Sequence, residues 1–293
     1  MNSRKNIAGY VAGIVAGVSY GFNPLFAKQL LIDQVPVYTM LFYRYIIAAA
    51  VMLLWMVIKH ESFRIEKGQI GLVTFLGIIF ACSSIGLFEA YNFIPAGLAT
   101  TIVYLYPVFT ALAMIFLHQT PSLRTWISII ATLAGVVLIC LPTGGMTVKI
   151  TGVLLAVSSA LCYSVYLVIV NHSSRLRTLS AHNLTLYGLV AGAVLFFIIT
   201  VFRGEPVVGA ISGAAQWRCI IGLSIIPTTI SMLSLALSTR IIGPTKTAVL
   251  GVFEPITAIM IGLAVFGETL TASIVAGVAI CIAAITFMVT DKN

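Results

Sequence analysis

The sequence predicts an all-α integral membrane protein whose ten transmembrane helices form two inverted five-helix repeats. Three observations lead there. Of 293 residues, 60% are hydrophobic and only 8% charged, with mean hydropathy +1.11, which is more apolar surface than a soluble core absorbs. Apolar runs of about 20 residues, the length that crosses about 30 Å of hydrocarbon, fill the chain and leave no room for a soluble domain. The pattern of the first half also recurs in the second.

The runs lie at 7–31, 37–58, 69–91, 96–117 and 123–141, then at 150–170, 183–202, 217–239, 245–266 and 272–290. Each reads as a helix, because unpaired backbone groups in lipid are too costly. The first follows Arg4 and Lys5 as a signal peptide would, but it is too long, lacks a convincing cleavage motif and leads into further runs, so it is read as helix one. Along it Gly9, Gly13, Gly17 and Gly21 recur every fourth residue, a ridge without side chains that suits close packing first and sliding second.

The formal charge of +8 is explained by where the basic residues lie. Ten spans put both termini on one side. With that side cytoplasmic, Arg4, Lys5, Lys59, Arg64, Lys67, Arg124, Arg175, Arg177, Arg240 and Lys292 fall inside, and Lys149, Arg203 and Arg218 outside. This is the bias of a protein inserted with its basic loops in the cytoplasm, so the charge is a topology signal and no nucleic-acid partner is expected. Cys82, Cys140, Cys162, Cys219 and Cys281 sit mostly inside runs without a CxxC pairing and read as small apolar fillers.

The repeat is visible in two stretches. Placing Pro107 of GLFEAYNFIPAGLATTIVYLYPVFTALAMIFLHQT (86–120) on Pro255 of SLALSTRIIGPTKTAVLGVFEPITAIMIGLAVFGET (234–269), an offset of 255 − 107 = 148, also places Ile94 on Ile242 and Thr120 on Glu268. Near the start of each half GVSYGFN (17–23) lies on ALCYSVY (160–166), pairing Tyr20 with Tyr163 and Asn23 with Tyr166 at an offset of 143. The halves divide as 1–145 and 146–293, five helices each. An odd number per half makes the second copy enter the membrane from the opposite side, the architecture of alternating-access transporters.

GIVAGVSYG of helix one, YLYP of helix four, and FEP followed by FGE at 253–255 and 266–268 resemble the drug/metabolite transporter superfamily, EamA type, across almost the whole chain. Where that family usually repeats a GE pair at the end of helix four, this chain has HQT. The resemblance implies a secondary transporter of small metabolites, with amino acids and related compounds, often exported, as cargo.

A charge at mid-bilayer costs several kcal/mol unless it meets a partner or water, so Lys28, Arg44, Glu89, Lys246 and Glu254 are the first functional candidates. Arg44, within LFYRYII and flanked by Tyr43 and Tyr45, suits a carboxylate or phosphate, or else an internal salt bridge with Glu89 or Glu254. Glu254 lies near the middle of helix nine, and Pro255 after it frees a carbonyl one turn back. It can bind a cationic group, carry a proton or pair with a basic residue. Glu89 falls near the outer end of helix three, Lys246 near the cytoplasmic mouth, and Lys28 is expected to snorkel. Glu89, Lys246 and Pro255 are thus candidates for gating or coupling.

Tyr20, Tyr104, Tyr163, Tyr166 and Tyr187 lie inside spans rather than in the interfacial belts usual for tyrosine. Tyr20 with Asn23, and Tyr163 with Tyr166, share helix faces that the repeat makes symmetry mates. With Tyr43, Arg44 and Glu254 they form the expected cargo site. No GxxxxGK[ST] is present, so ATP is not the direct energy source; His60, His118, His172 and His182 form no HExxH or ligand-like cluster; and Asp33 and Asp291, the only aspartates, lie at span ends. No metal or cofactor is expected, and neither is an enzyme. The expected partners are a small molecule and the bilayer, with a homodimer left open. The expected cargo is a zwitterion, with Arg44 on its carboxylate and Glu254 on its ammonium; the alternative is an organic cation or drug-like compound within tyrosine walls. The expected location is a bacterial inner membrane with both termini cytoplasmic.

Overall fold

The computed structural model describes residues 2–116, 122–140, 148–176, 178–242, 247, 250–268 and 271–289. Among them the regular structure is helical throughout: α1 (Asn2–Gly21), α2 (Asn23–Ile32), α3 (Val37–Ile58), α4 (Lys67–Ala90), α5 (Ala96–Val103), α6 (Tyr106–Phe116), α7 (Leu123–Cys140), α8 (Ile150–His172), α9 (Ala181–Phe202), α10 (Ala214–Ser224), a π turn at Ile225–Ile230, α11 (Ser231–Ile242), α12 (Phe253–Phe266) and α13 (Ala272–Val289). Seven stretches are long and apolar enough to cross a membrane, and shorter apolar helices at Leu123–Leu138, Phe253–Phe266 and Ala272–Phe287 fall on the fifth, ninth and tenth runs. Counted by run, segment 1 is α1 with α2, segments 2 and 3 are α3 and α4, segment 4 is α5 with α6, and segments 5 to 7 are α7 to α9. Segment 8 is α10 through α11, and segments 9 and 10 are α12 and α13.

Prolines set the breaks. Pro24 cannot donate to the Tyr20 carbonyl four residues back, segment 1 breaks at Phe22, and the Asn23 side-chain amide takes that carbonyl at 2.8 Å. Pro227 likewise frees the Leu223 carbonyl. The backbone widens into the π turn, and the Thr228 hydroxyl donates to Leu223 O at 2.9 Å. Segment 4 breaks at Tyr104 and Leu105, ahead of Pro107, as segment 9 does at Gly251 and Val252, ahead of Pro255.

The packing carries a two-fold pattern. Segment 1 packs on 8 as segment 3 packs on 6; segment 1 on 9 as 4 on 6; segment 2 on 8 as 3 on 7; and segments 2 and 7, 4 and 9, 5 and 10 pair across the halves. Moving each number five places round the ten turns each of these contacts into its mate. Side chains repeat it at close range. Ser83 donates to the Ser159 carbonyl at 2.9 Å and Ser231 to the Ala16 carbonyl at 2.9 Å, and these are equivalents, since 231 − 83 = 148 and 159 − 16 = 143. The glycine ridge lies in the same seam: a Cβ on Gly17 would stand 2.9 Å from the Leu250 carbonyl oxygen, and one on Gly21 would stand 2.7 Å from that of Glu254. Segments 1 and 9 therefore meet backbone to backbone, which only glycine permits.

Candidate functional site

At the seam between the halves lies a cavity of about 70 Å³ whose lining includes Gly13, Gly17, Tyr20, Ser83, Tyr106, Tyr163, Ser231 and Glu254. Four repeat pairs face it together: Tyr20 with Tyr163, Ser83 with Ser231, Val103 with Gly251, and Tyr106 with Glu254, the last being the residues before the matched prolines Pro107 and Pro255. Glu254 thus supplies charge where the first half supplies a phenol. Tyr106 meets Tyr163 edge to face at 4.7 Å, and Tyr163 stacks with Tyr166 at 6.2 Å, so the aromatic wall extends behind the cavity toward segment 3. Tyr106 and the serine pair were missed in the sequence. The signal for Tyr106 was its register with Glu254.

Arg44 is 3% exposed. Its Nε donates to Thr228 Oγ1 at 2.9 Å, and its guanidinium lies 4.9 Å from the centre of the Phe88 ring. The hydroxyl that closes the π turn therefore also anchors the arginine. Arg44 and Glu254 both lie within electrostatic reach of Tyr20, one of each sign. Among the described residues no carboxylate comes within ion-pair distance of Arg44, so the expected bridge to Glu89 or Glu254 is not formed; the cation is held instead by a hydroxyl and an aromatic face. Arg44 stands behind the cavity rather than on its lining.

The other candidates are distributed around this centre. Tyr104 is 1% exposed and packs edge to face against Tyr106 at 5.8 Å. Asn23 is fully buried; its amide nitrogen serves the Tyr20 carbonyl and its Oδ1 has no partner among the described residues. Tyr43 and Tyr187 lie away from the cavity, because each hydroxyl satisfies a loop carbonyl, Val207 O at 3.0 Å and Phe63 O at 2.7 Å. Glu89 accepts from Asn92 Nδ2 at 3.2 Å at the end of α4, as an end-of-span carboxylate should. Lys246 lies outside the described residues.

Lys28 does not snorkel free. It forms an ion pair with Glu268, which also accepts the Ala96 backbone N–H at 2.9 Å, and its ammonium lies 4.9 Å from the Phe266 ring centre. Gly267, with φ +60°, ends α12 in the left-handed region, and the Glu268 N–H returns to the Gly262 carbonyl at 3.0 Å. The FGE stretch is thus a turn that folds a carboxylate back across segments 1, 4 and 9.

The EamA-like transporter family matches residues 7–141 and again 150–290, so the chain belongs to that family and carries two of its repeats. It is 24% identical over 255 residues to an uncharacterised transporter, YdfC, of Bacillus subtilis (strain 168), covering 86% of this chain and 81% of that one. It is 22% identical over 188 residues to an uncharacterised transporter of Archaeoglobus fulgidus, covering 64% of this chain and 65% of that protein, and 28% identical over 193 residues to one of Synechocystis sp. (strain PCC 6803), covering 63% and 56%. A solved crystal structure, 17% identical, superposes with a TM-score of 0.70 over 95% of both chains, which is a likeness of fold. The chain is a membrane transporter.

Proposed function

We propose that this transporter is a secondary carrier of the bacterial inner membrane, with both termini cytoplasmic, which exports a small zwitterion, an amino acid or a close relative, by alternating access between two inverted repeats. The observation that supports this cargo is the pair Arg44 and Glu254: ionisable groups of opposite sign, both within electrostatic reach of Tyr20, neither with an ionic partner among the described residues. A guanidinium buried in a membrane without a counter-ion costs several kcal/mol, and a cargo carboxylate would relieve that cost while its ammonium meets Glu254. Rotation of Tyr20 would join the two half-sites. Pro255, which cannot donate to the Gly251 carbonyl that the Glu254 N–H takes instead at 3.0 Å, is the hinge at which Glu254 turns.

The test is amino-acid transport in proteoliposomes. Glu254→Gln and Arg44→Ala should each lower it about thirtyfold or more, because each leaves one buried charge of the bound pair unmatched. Unchanged transport of every amino acid tried, in both variants, would sink the reading. A second reading, an organic-cation carrier, has its own support: Tyr20, Tyr106 and Tyr163 wall the cavity with Glu254 while Arg44 does not line it. Competition by quaternary ammonium compounds against amino acids separates the two.

A further inference from the structure

Segment 1 runs into segment 2 through the short turn at 33–36, so Lys28 and Glu61 stand at opposite ends of the molecule. At the Glu61 end, α11 is packed on α1 and makes at most marginal contact with α3 and α9, although α3 packs on α10 and on the π turn. Segments 2 and 8 therefore part company beyond the Pro227 widening. The space between them is a groove of about 650 Å³, far larger than the central cavity. Its floor is Leu233, Ala236 and Leu237, and its head carries Trp55, Glu61 and His182. Ser231 and Leu235, on another face of α11, line the central cavity, so one helix divides the two spaces.

The head of the groove has a defined chemistry. Glu61 Oε2 is 3.0 Å from His182 Nδ1, with side chains 31% and 25% exposed, and the His182 ring meets Trp55 edge on at 4.8 Å. Glu61 also opens onto an adjoining polar recess of about 270 Å³ that includes Glu66 and Arg64, so two carboxylates face one guanidinium there. A half-exposed carboxylate beside an indole, at the end of an apolar trough of ligand size, suits an ammonium head with an apolar tail.

We infer that this groove is a second binding site, separate from the central cavity, for an amphipathic amine: its ammonium on Glu61 beside Trp55, its tail along Leu233, Ala236 and Leu237. The Glu61 carboxylate selects the head, and the apolar floor selects the tail. The site does not depend on the zwitterion reading, because neither Arg44 nor Glu254 borders it.

The experiment is a fluorescence titration of the full chain in a maltoside detergent, with Trp126 and Trp217 replaced by Phe so that Trp55 reports alone. Decylammonium should change its emission saturably, and each methylene removed from the tail should weaken binding about fourfold, the factor that about 0.8 kcal/mol per buried methylene gives. Decanol, with the same tail and no charge, should compete at least tenfold more weakly. Glu61→Gln should weaken binding at least tenfold, and Ala236→Phe, which fills the floor and leaves Glu61 in place, should block it in a protein of unchanged melting temperature. Glu254→Gln should leave it intact. Equal binding of decanol, retention in Glu61→Gln, or loss in Glu254→Gln would each overturn the proposal. So would a Trp55 signal that appears only in nanodiscs containing phosphatidylethanolamine and resists decylammonium, which would make the groove a lipid seat.

Discussion

At one end Lys28, Glu268 and the Ala96 amide join segments 1, 4 and 9, while Thr39 and Tyr43 donate to the Pro206 and Val207 carbonyls at 3.1 and 3.0 Å and hold the following loop against segment 2. At the other end Asn183 and Tyr187 donate to the Ser62 and Phe63 carbonyls at 2.9 and 2.7 Å, the repeat equivalents of those loop ties, but Glu61 and His182 make only a half-exposed side-chain contact beside an open groove. Both ends set a carboxylate against a nitrogen-bearing side chain, but only the Lys28–Glu268 pair spans three segments and captures a backbone amide. The difference teaches that closure of a helix bundle depends less on the number of charges at its rim than on what they tie together. A carboxylate that also satisfies the first N–H of a helix fixes that helix in place, and a pair between two side chains in water does not.

Three measurements sharpen this contrast or break it. The largest effect should come from Glu268→Ala, which strands Lys28 and the Ala96 amide together. We expect a loss of about 2–3 kcal/mol, as for a mostly buried pair deprived of one partner, with faster hydrogen exchange across α2. The exchanged pair Lys28→Glu with Glu268→Lys should recover part of the ionic contribution and none of the amide bond. If Glu268→Ala leaves both the melting temperature and α2 exchange unchanged, the end is not tied as described. Next, Tyr43→Phe should cost about 1 kcal/mol, one hydrogen bond to a loop carbonyl, and should loosen residues 203–213 alone. Smallest of all, Glu61→Gln should change stability by less than about 0.5 kcal/mol, since a half-exposed pair is largely screened by water. A larger loss there would make the two ends alike.

Much of this was legible in the sequence, and the illegible part has a physical cause. Apolar length and the proline register announced the helices and the repeat, because a bilayer leaves the backbone few choices. Tyr20 and Tyr163 could be paired in advance because symmetry carries equivalent positions to the same seam. Arg44 could be picked out as an intramembrane charge, but its anchoring through Thr228 depends on the carbonyl freed by Pro227, in a different helix of the other half. Lys28 and Glu268 are 240 residues apart, and nothing local marks them as partners. Tyr43 and Tyr187 look like cavity residues by composition alone. Loop carbonyls claimed them instead.

The turn at Gly267 has a consequence for the transport cycle proposed above. If the two halves trade roles when the carrier reverses, whatever closes one end must be imitated at the other by the equivalent residue, and the equivalent of Glu268 is Thr120, which has no charge to offer. A carrier built this way would have no mirror image of its own lock, and would idle facing one compartment until cargo moves it.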